Sequence, residues 1–316
     1  MTNAMSSTAL NHPRATRVSI KSRIKHRFQK SAIYPLLRIG YQIPSEGWFY
    51  ARWLVLKCIC VIVRCLTANS FRAQELLISI GNILYSREFP DEMYQDFESY
   101  VLSCNCTFDS YLALLPEKTW LQGKAILDLG SGLGQYSDAL LKSGARSVVG
   151  LECQKEKAEW SSRRFARSGD SRLRFVTADA ETADFGIGTF DSIFSHTVFE
   201  HIEGIPHVLD AMKKWLKDDG FALLSFNFIH HRGGHHLFPY IHFPWPLSLL
   251  DEEVLCRYWS NRLGADQSCG KMKFYPQGCQ IRSLSEGNEI HLNRLNFEQF
   301  ERLVLNSGFR VVSKRC

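Results

Sequence analysis

The chain has no apolar run long enough to cross a bilayer. Its most apolar stretch, "WLVLKCICVIVRCL" at 53–66, is broken by Lys57 and Arg64 and falls far short of the ~20 residues a spanning helix needs. The first thirty residues lack the apolar segment of a secretory leader. The ten cysteines are therefore read as reduced thiols of a cytoplasmic protein, not as disulfide staples. No C-x-x-C pair occurs. The closer pairs Cys58/Cys60 and Cys104/Cys106 lack the spacing of zinc knuckles or redox motifs, so no metal is assigned. Also missing are G-x-G-x-x-G and G-K-[ST], which disfavours a dinucleotide or a nucleoside triphosphate held by those fingerprints. Finally, residues 1–38 contain no acid but eight bases: Arg14, Arg17, Lys21, Arg23, Lys25, Arg27, Lys30 and Arg38. The whole chain has 38 Lys and Arg against 32 Asp and Glu, so the rest carries 30 against 32, a balance of −2. The basicity belongs to the arm, which could touch nucleic acid or an anionic membrane.

What is present divides the chain into three parts. Residues 1–30 read as a basic flexible arm. Residues 31–115 read as a helical N-terminal extension with breaks near Pro44–Gly47 and at Pro90. Residues 116–316 read as the main domain. Within the extension, Lys57 and Arg64 lie seven positions apart and mark one polar stripe on a helix. Packing of that helix on the main domain is the expected arrangement. Peripheral docking at a membrane surface, helped by the arm and by Trp48, Phe49, Tyr50 and Trp53, is the second.

From Lys124 onward short apolar runs alternate with amphipathic ones. Strands are expected at 124–130, 147–152, 173–179, 190–196 and 221–226, and helices at 135–145, 155–169 and 205–220. This rhythm predicts an α/β fold with a doubly wound, mostly parallel sheet, its strands' carboxyl ends along one ligand-binding edge. Residues 228–292, rich in His, Pro and aromatics, break the rhythm and are expected to form a lid insertion over that edge. A further helix should start after Asn296, with Gln299 as its reciprocal cap, and stop at Gly308. "FRVVSK" (309–314) is the last strand candidate.

"ILDLGSGLG" (126–134) ends a strand at Asp128 and places Gly130, Gly132 and Gly134 at spacing two, with Gln135 where a dinucleotide loop would need glycine. Glu152 ends the next strand, 22 residues after Gly130. A carboxylate there can accept hydrogen bonds from both ribose hydroxyls, as in dinucleotide folds. Asp179 ends the third strand, where it can take the exocyclic amine of an adenine. Three acids would repel a pyrophosphate and suit a cation carrying an amine and a sulfonium.

On these residues the segment 120–226 resembles the class I S-adenosylmethionine-dependent methyltransferases, and among them small-molecule O-methyltransferases. "LDLGSGLG" is similar to that family's first motif, "VVGLE" to its second-strand acid, "TADAE" to its adenine-side acid and "FDSIFSHTVFEHI" to its fourth strand and following turn. The resemblance implies a Rossmann-like fold and S-adenosyl-L-methionine as cofactor. The loop Gly130–Gly134, with Ser131, would hold the methionine part, and Glu152 the ribose. Asp179 and Ala180 would face the adenine, with Cys153 packed on its face. Ser195 and His196 would line the methionine end through backbone groups. The family's sheet has two strands after the last helix. Here either "KMKFYP" or "CQIRSL" must supply one, or the sheet is short.

On the acceptor side "HTVFEHI" (196–202) is expected to open a helix. Glu200 and His201 have three readings there. They satisfy backbone groups at a helix start; or His201 is a general base, since histidine titrates near neutral pH; or the pair belongs to an E-x-x-E-H metal element of some relatives, whose first Glu position is Thr197 here. The tract "HHRGGHHLFPYIHFPWP" (230–246) holds His230, His231, His235, His236 and His242. It reads as a substrate lid with Phe238, Tyr240, Phe243 and Trp245 against the acceptor. The expected reaction is methyl transfer to an oxygen of a small, lipid-like or saccharide molecule. The alternatives are an RNA methyltransferase using the basic arm and a non-catalytic SAM-binding scaffold.

Overall fold

A computed structural model describes residues 45–67, 70–85, 98, 101, 108, 121–167, 169–228, 231, 237, 240–268 and 293–314. The basic arm, Cys104/Cys106, Phe238, three of the five lid histidines (His230, His235 and His236), and the stretches "KMKFYP" and "CQIRSL" lie outside the described residues. The chain divides into two compact units, residues 1–56 and 57–316. Of the first, only the opening turns of helix α1 (Ser45–Thr67) are described. The expected break at Pro44–Gly47 is not seen from Ser45 onward, where the helix is already formed; Pro44 lies outside the described residues. Cys58 is exposed and Cys60 buried, as positions two apart on a helix must be, so they present no common chelating face.

The second unit is built on a sheet of β1 (Ala125–Leu129), β2 (Ser147–Glu152), β3 (Leu173–Thr177), β4 (Phe190–His196) and β5 (Leu216–Ser225). Their order is β3-β2-β1-β4-β5, and every pairing is parallel. The order reverses between β1 and β4, which is where a doubly wound sheet opens a ligand crevice at its carboxyl edge. Alternation along β1 sorts the two faces. Leu127 and Leu129 join Val208, Leu209, Met212 and Trp215 of α5 (Ile205–Trp215) in one core, together with Phe300 of α7 (Phe297–Asn306). Ile126 points the other way, into a second core with Tyr136, Leu140 and Leu141 of α3 (Gln135–Lys142). Helix α4 (Lys155–Ala166) completes the β2–β3 crossover.

Two elements differ from expectation. Helix α5 stops at Trp215, not at 220, because Leu216 already pairs with Phe190 of β4. The Lys217 ammonium holds Asp191 Oδ1 at 2.6 Å, and the chain bulges before Phe221 resumes pairing opposite Ser192. The expected last strand is not formed: residues 309–314 carry no strand. Phe309 packs on the core instead, and Lys314 pairs with Glu301 at 2.9 Å. The capping box is present, with Gln299 N donating to Asn296 Oδ1 at 2.9 Å and Asn296 N to Gln299 Oε1 at 2.8 Å.

The described part of the insertion contains a 3₁₀ turn at Pro246–Ser248 and helix α6 (Glu252–Ser268). It is fastened to α2 (Phe71–Tyr85) by reciprocal side-chain bonds. Asn82 Nδ2 donates to the Tyr240 carbonyl at 2.7 Å and its Oδ1 accepts from His242 N at 2.8 Å. Gln74 Nε2 donates to Asp251 Oδ2 at 2.7 Å and its Oε1 accepts from Asp251 N at 2.9 Å. Arg64 adds bonds to the Leu249 carbonyl at 3.0 Å and Asp251 Oδ1 at 2.8 Å. Lys57 and Arg64 thus do not share a polar role, because Arg64 is drawn to the insertion. Phe243 is also placed differently from the lid reading. It is fully buried, and its ring lies where a Cβ on Gly81 would stand, 2.3 Å away.

That contact sets two effects against each other. Gly→Ala inside a helix ordinarily gains about 1 kcal/mol, whereas forcing a methyl into a packed ring costs about 1–3 kcal/mol. Gly81→Ala should therefore lower the melting temperature, and adding Phe243→Leu should recover part of the loss; thermal melts of both variants check this.

Candidate functional site

The site is the crevice between the ends of β1 and β4, where Leu129 lies opposite Ser195. Beyond β1 the chain makes a tight turn, with Gly130 at φ 75° and Gly132 at φ 54°, a region costly for residues with a Cβ. A Cβ on Gly130 would lie 2.1 Å from Val198, whereas one on Gly132 would meet nothing within 4 Å. The first glycine therefore lets the β4 turn close onto the loop. The second leaves bare backbone facing open space, as a ligand cradle requires.

Glu152 braces this loop. Its Oε2 accepts from Gly132 N at 2.8 Å and its Oε1 from Gln154 N at 2.9 Å. Oε2 keeps a second lone pair, so a donor hydroxyl can still be received there. Cys153 is exposed beside it, its Sγ 3.6 Å from Glu152 Oε1. Asp179 is exposed and closes the turn after β3, taking Glu181 N at 2.8 Å on Oδ1. Ala180 follows it, half-buried. Asp128 lies beneath the loop, 2% exposed. It receives the Ser137 hydroxyl at 2.5 Å, and burial pushes its carboxyl up to about 7 against that hydrogen bond, with Glu152's charge adding to the rise. Two buried atoms of the loop, Ser131 Oγ and Gln135 Oε1, have no hydrogen-bond partner among the described residues.

The other wall is the turn after β4. Ser195 is buried and its hydroxyl donates to the Leu129 carbonyl at 3.0 Å, tying β4 to the loop's root. The His196 ring meets the Tyr136 ring edge-on at 5.1 Å. Burial pushes its imidazole down to about 4, with Glu200's charge and a hydrogen bond at the Ser225 backbone opposing, so the ring is neutral at neutral pH. Thr197 sits at φ 54°. For a β-branched residue that costs on the order of 1–3 kcal/mol, a strain that concentrates at functional turns. Its amide donates to the Ser225 carbonyl at 2.7 Å and its hydroxyl to the His196 carbonyl at 2.7 Å. The expected helix over "HTVFEHI" is only a 3₁₀ turn at Phe199–His201. Glu200 in it is 1% exposed and His201 half-buried.

Reading the sequence did not find Asn293, which fixes this turn. Its amide donates to the Glu200 carbonyl at 2.8 Å, and its side chain to the Phe199 carbonyl. Nor did it find Val198, which matters through Gly130 across the crevice, or Ser137, which matters through Asp128 beneath the loop. No motif marks an asparagine 92 positions beyond its partner turn. Among the described residues, no group of three or more His, Cys, Asp or Glu could hold a metal ion. A small apolar cavity lined by Leu140, Ser192, Phe194 and Phe221, among others, touches none of these loop residues.

Sheet order, switch point and crevice define a Rossmann-like α/β domain. Residues 127–224 match the family described as "Methyltransferase domain", and this domain is a class I S-adenosylmethionine-dependent methyltransferase domain. An uncharacterized protein of Haemophilus influenzae is 28% identical over 147 residues, 45% of this chain and 57% of that one. A demethylmenaquinone methyltransferase of Clavibacter sepedonicus is 37% identical over 95 residues, 29% and 38% of the two chains. A phosphoethanolamine N-methyltransferase of Triticum aestivum is 28% identical over 103 residues, 33% and 20%. The chain thus spans less than two thirds of the length of these relatives.

The class takes its methyl group from S-adenosylmethionine, and the residues present fit that molecule. Gly132 offers open backbone, Glu152 retains acceptor capacity, and Ser131 Oγ and Gln135 Oε1 are unmatched buried acceptors suited to an ammonium group.

The two shifted groups make opposite pH predictions for the ligand-free protein. Asp128 binds its proton more tightly when folded, so its contribution is fully present below about pH 4 and is lost as pH rises toward 7. Asp128→Asn should be more stable than the parent at pH 8, by on the order of a few kcal/mol, and the gain should shrink steadily as pH falls, to a small remainder by pH 4. His196 resists protonation when folded, so its contribution is present above about pH 6.5 and is lost as pH falls toward 4. His196→Phe should flatten that acid limb. Melting curves across pH 4–8 read both.

Proposed function

We propose that the chain transfers a methyl group from S-adenosylmethionine to an oxygen of a small, lipid-like or saccharide acceptor. The observation that carries the reading is the set of carboxylates at successive strand ends, Asp128, Glu152 and Asp179, around a glycine loop whose middle residue faces open space. That set suits an uncharged ribose and a cationic donor. The donor supplies an electrophilic methyl on sulfur. The protein's part is alignment of donor and acceptor and removal of the acceptor's proton.

In this reading Gly130–Gly134, with Ser131, holds the methionine part, Glu152 the ribose hydroxyls, and Asp179, Ala180 and Cys153 the adenine. Ser195 and His196 form the floor at the methionine end. His201 takes the acceptor proton, and Glu200 keeps the turn and the neutral His196 in place. Just after β5, Phe226 lies 5.9 Å from Phe199 of this turn and Phe228 lies 4.8 Å from Phe226, centroid to centroid, and this aromatic surrounding supports an apolar acceptor. The near-neutral charge of the chain outside its arm gives little support to a nucleic-acid acceptor.

Calorimetric titration with S-adenosylhomocysteine should give binding that falls at least about tenfold in Glu152→Ala, one lost charge-assisted site; unchanged affinity would remove the donor assignment. Turnover on a panel of hydroxyl acceptors, with RNA included, should drop about 10²–10⁴-fold in His201→Ala, the usual worth of a general base. Turnover on RNA alone would redirect the acceptor assignment, and binding without turnover on any acceptor would favour a scaffold.

A further inference from the structure

Helix α1 carries an apolar face that the described residues leave open. Leu54, Val61, Ile62 and Leu66 are 56%, 56%, 57% and 80% exposed, and Tyr50 is 60% exposed. Their spacing follows the helical repeat, so they form one stripe along the helix and not a scatter. Single exposed apolar residues need no explanation, but a contiguous row of them marks a surface made for something apolar. The helix's own charges do not interrupt it: Arg64 is turned to the Leu249 carbonyl and Asp251, and Lys57 lies at the stripe's flank. Among the described residues no helix is long and apolar enough to cross a membrane.

The charge of the chain says which surface. The 38 residues at the start of the sequence hold eight Lys and Arg and no Asp or Glu, and Glu46 is the first acid. An apolar helical stripe joined in sequence to a run of this many positive charges is the two-part requirement for binding anionic lipid, where neither part alone suffices. Tyr50 on the stripe and Trp48 at its edge are of the kind that settles at the headgroup level. We propose that the exposed face of α1, with the basic arm, docks the protein on an anionic lipid surface. This does not rest on the methyl-donor reading: it concerns a separate element and is tested without the donor.

The test is co-sedimentation of the full chain with phosphatidylcholine vesicles, with and without phosphatidylserine, at low and high salt. Binding should require phosphatidylserine, weaken in salt, and fall at least about tenfold in Val61→Glu/Ile62→Glu/Leu66→Glu. Because those side chains are exposed, the variant should keep the parent's melting temperature and its affinity for S-adenosylhomocysteine. If it does not fold, the full chain with Arg14, Lys21, Arg23 and Lys25 changed to Glu makes the same test through the arm. Absence of pelleting, equal pelleting by the folded variants, or light scattering that shows a dimer dissolved by the triple variant would each overturn the proposal, the last by assigning the face to a second copy.

Discussion

Val198 rests on the bare α-carbon of Gly130, and the site follows from that contact. It closes the turn after β4 onto the loop after β1 across the reversal in strand order. A single added methyl would stand 2.1 Å from the valine. Because the two turns touch, the Ser195 hydroxyl can reach the Leu129 carbonyl, and Thr197 is pressed into a backbone region that β-branched residues avoid. The cost of that conformation is offset by two short hydrogen bonds, to the Ser225 and His196 carbonyls. The result is a rigid seam between the two walls of one crevice.

Carboxylates do different jobs around this seam according to their depth. Asp128 is sealed beneath the loop, holds Ser137 and stays near half-protonation at neutral pH. Glu152 is buried too, but braces two backbone amides and has a lone pair to spare. Asp179 stands exposed and spends one oxygen on its own turn. A row of acids in the sequence thus becomes a support, a brace that can also bind, and a rim.

The strands and the glycine loop could be read from the sequence because short continuous apolar runs ending near Asp128, Glu152 and His196 are local signals. The amino end of β5 could not. "LKDDG" carries the charge and terminal glycine of a helix end, and only Asp191 across the sheet, holding Lys217, tells that the chain has already left the helix. The last six described residues look like a strand by composition, yet Phe309 finds the core and Lys314 finds Glu301 without a ladder. Phe243 was read as an acceptor contact because aromatics near a strand end invite that reading. Its partner is Gly81, a residue with no side chain to advertise the contact. Asn293 was invisible for the same reason as Val198: its role exists only through a neighbour distant in sequence.

The reciprocal pair of Gln74 and Asp251 joins positions 177 residues apart. During synthesis α2 emerges long before the segment that covers it. At ordinary translation rates of ~5–20 residues per second the wait is roughly ten to thirty seconds. In that interval Leu77, Ile78, Ile80 and Leu84, all buried in the finished protein, have no Phe243 and no α6 to pack against. The parallel sheet can close meanwhile, since its strands run without interruption from β1 to β5. Assembly on the ribosome is therefore ordered by chain position, with an early helix among the last elements to be fastened, and nascent chains stalled before residue 240 should be where chaperones or premature association find their target.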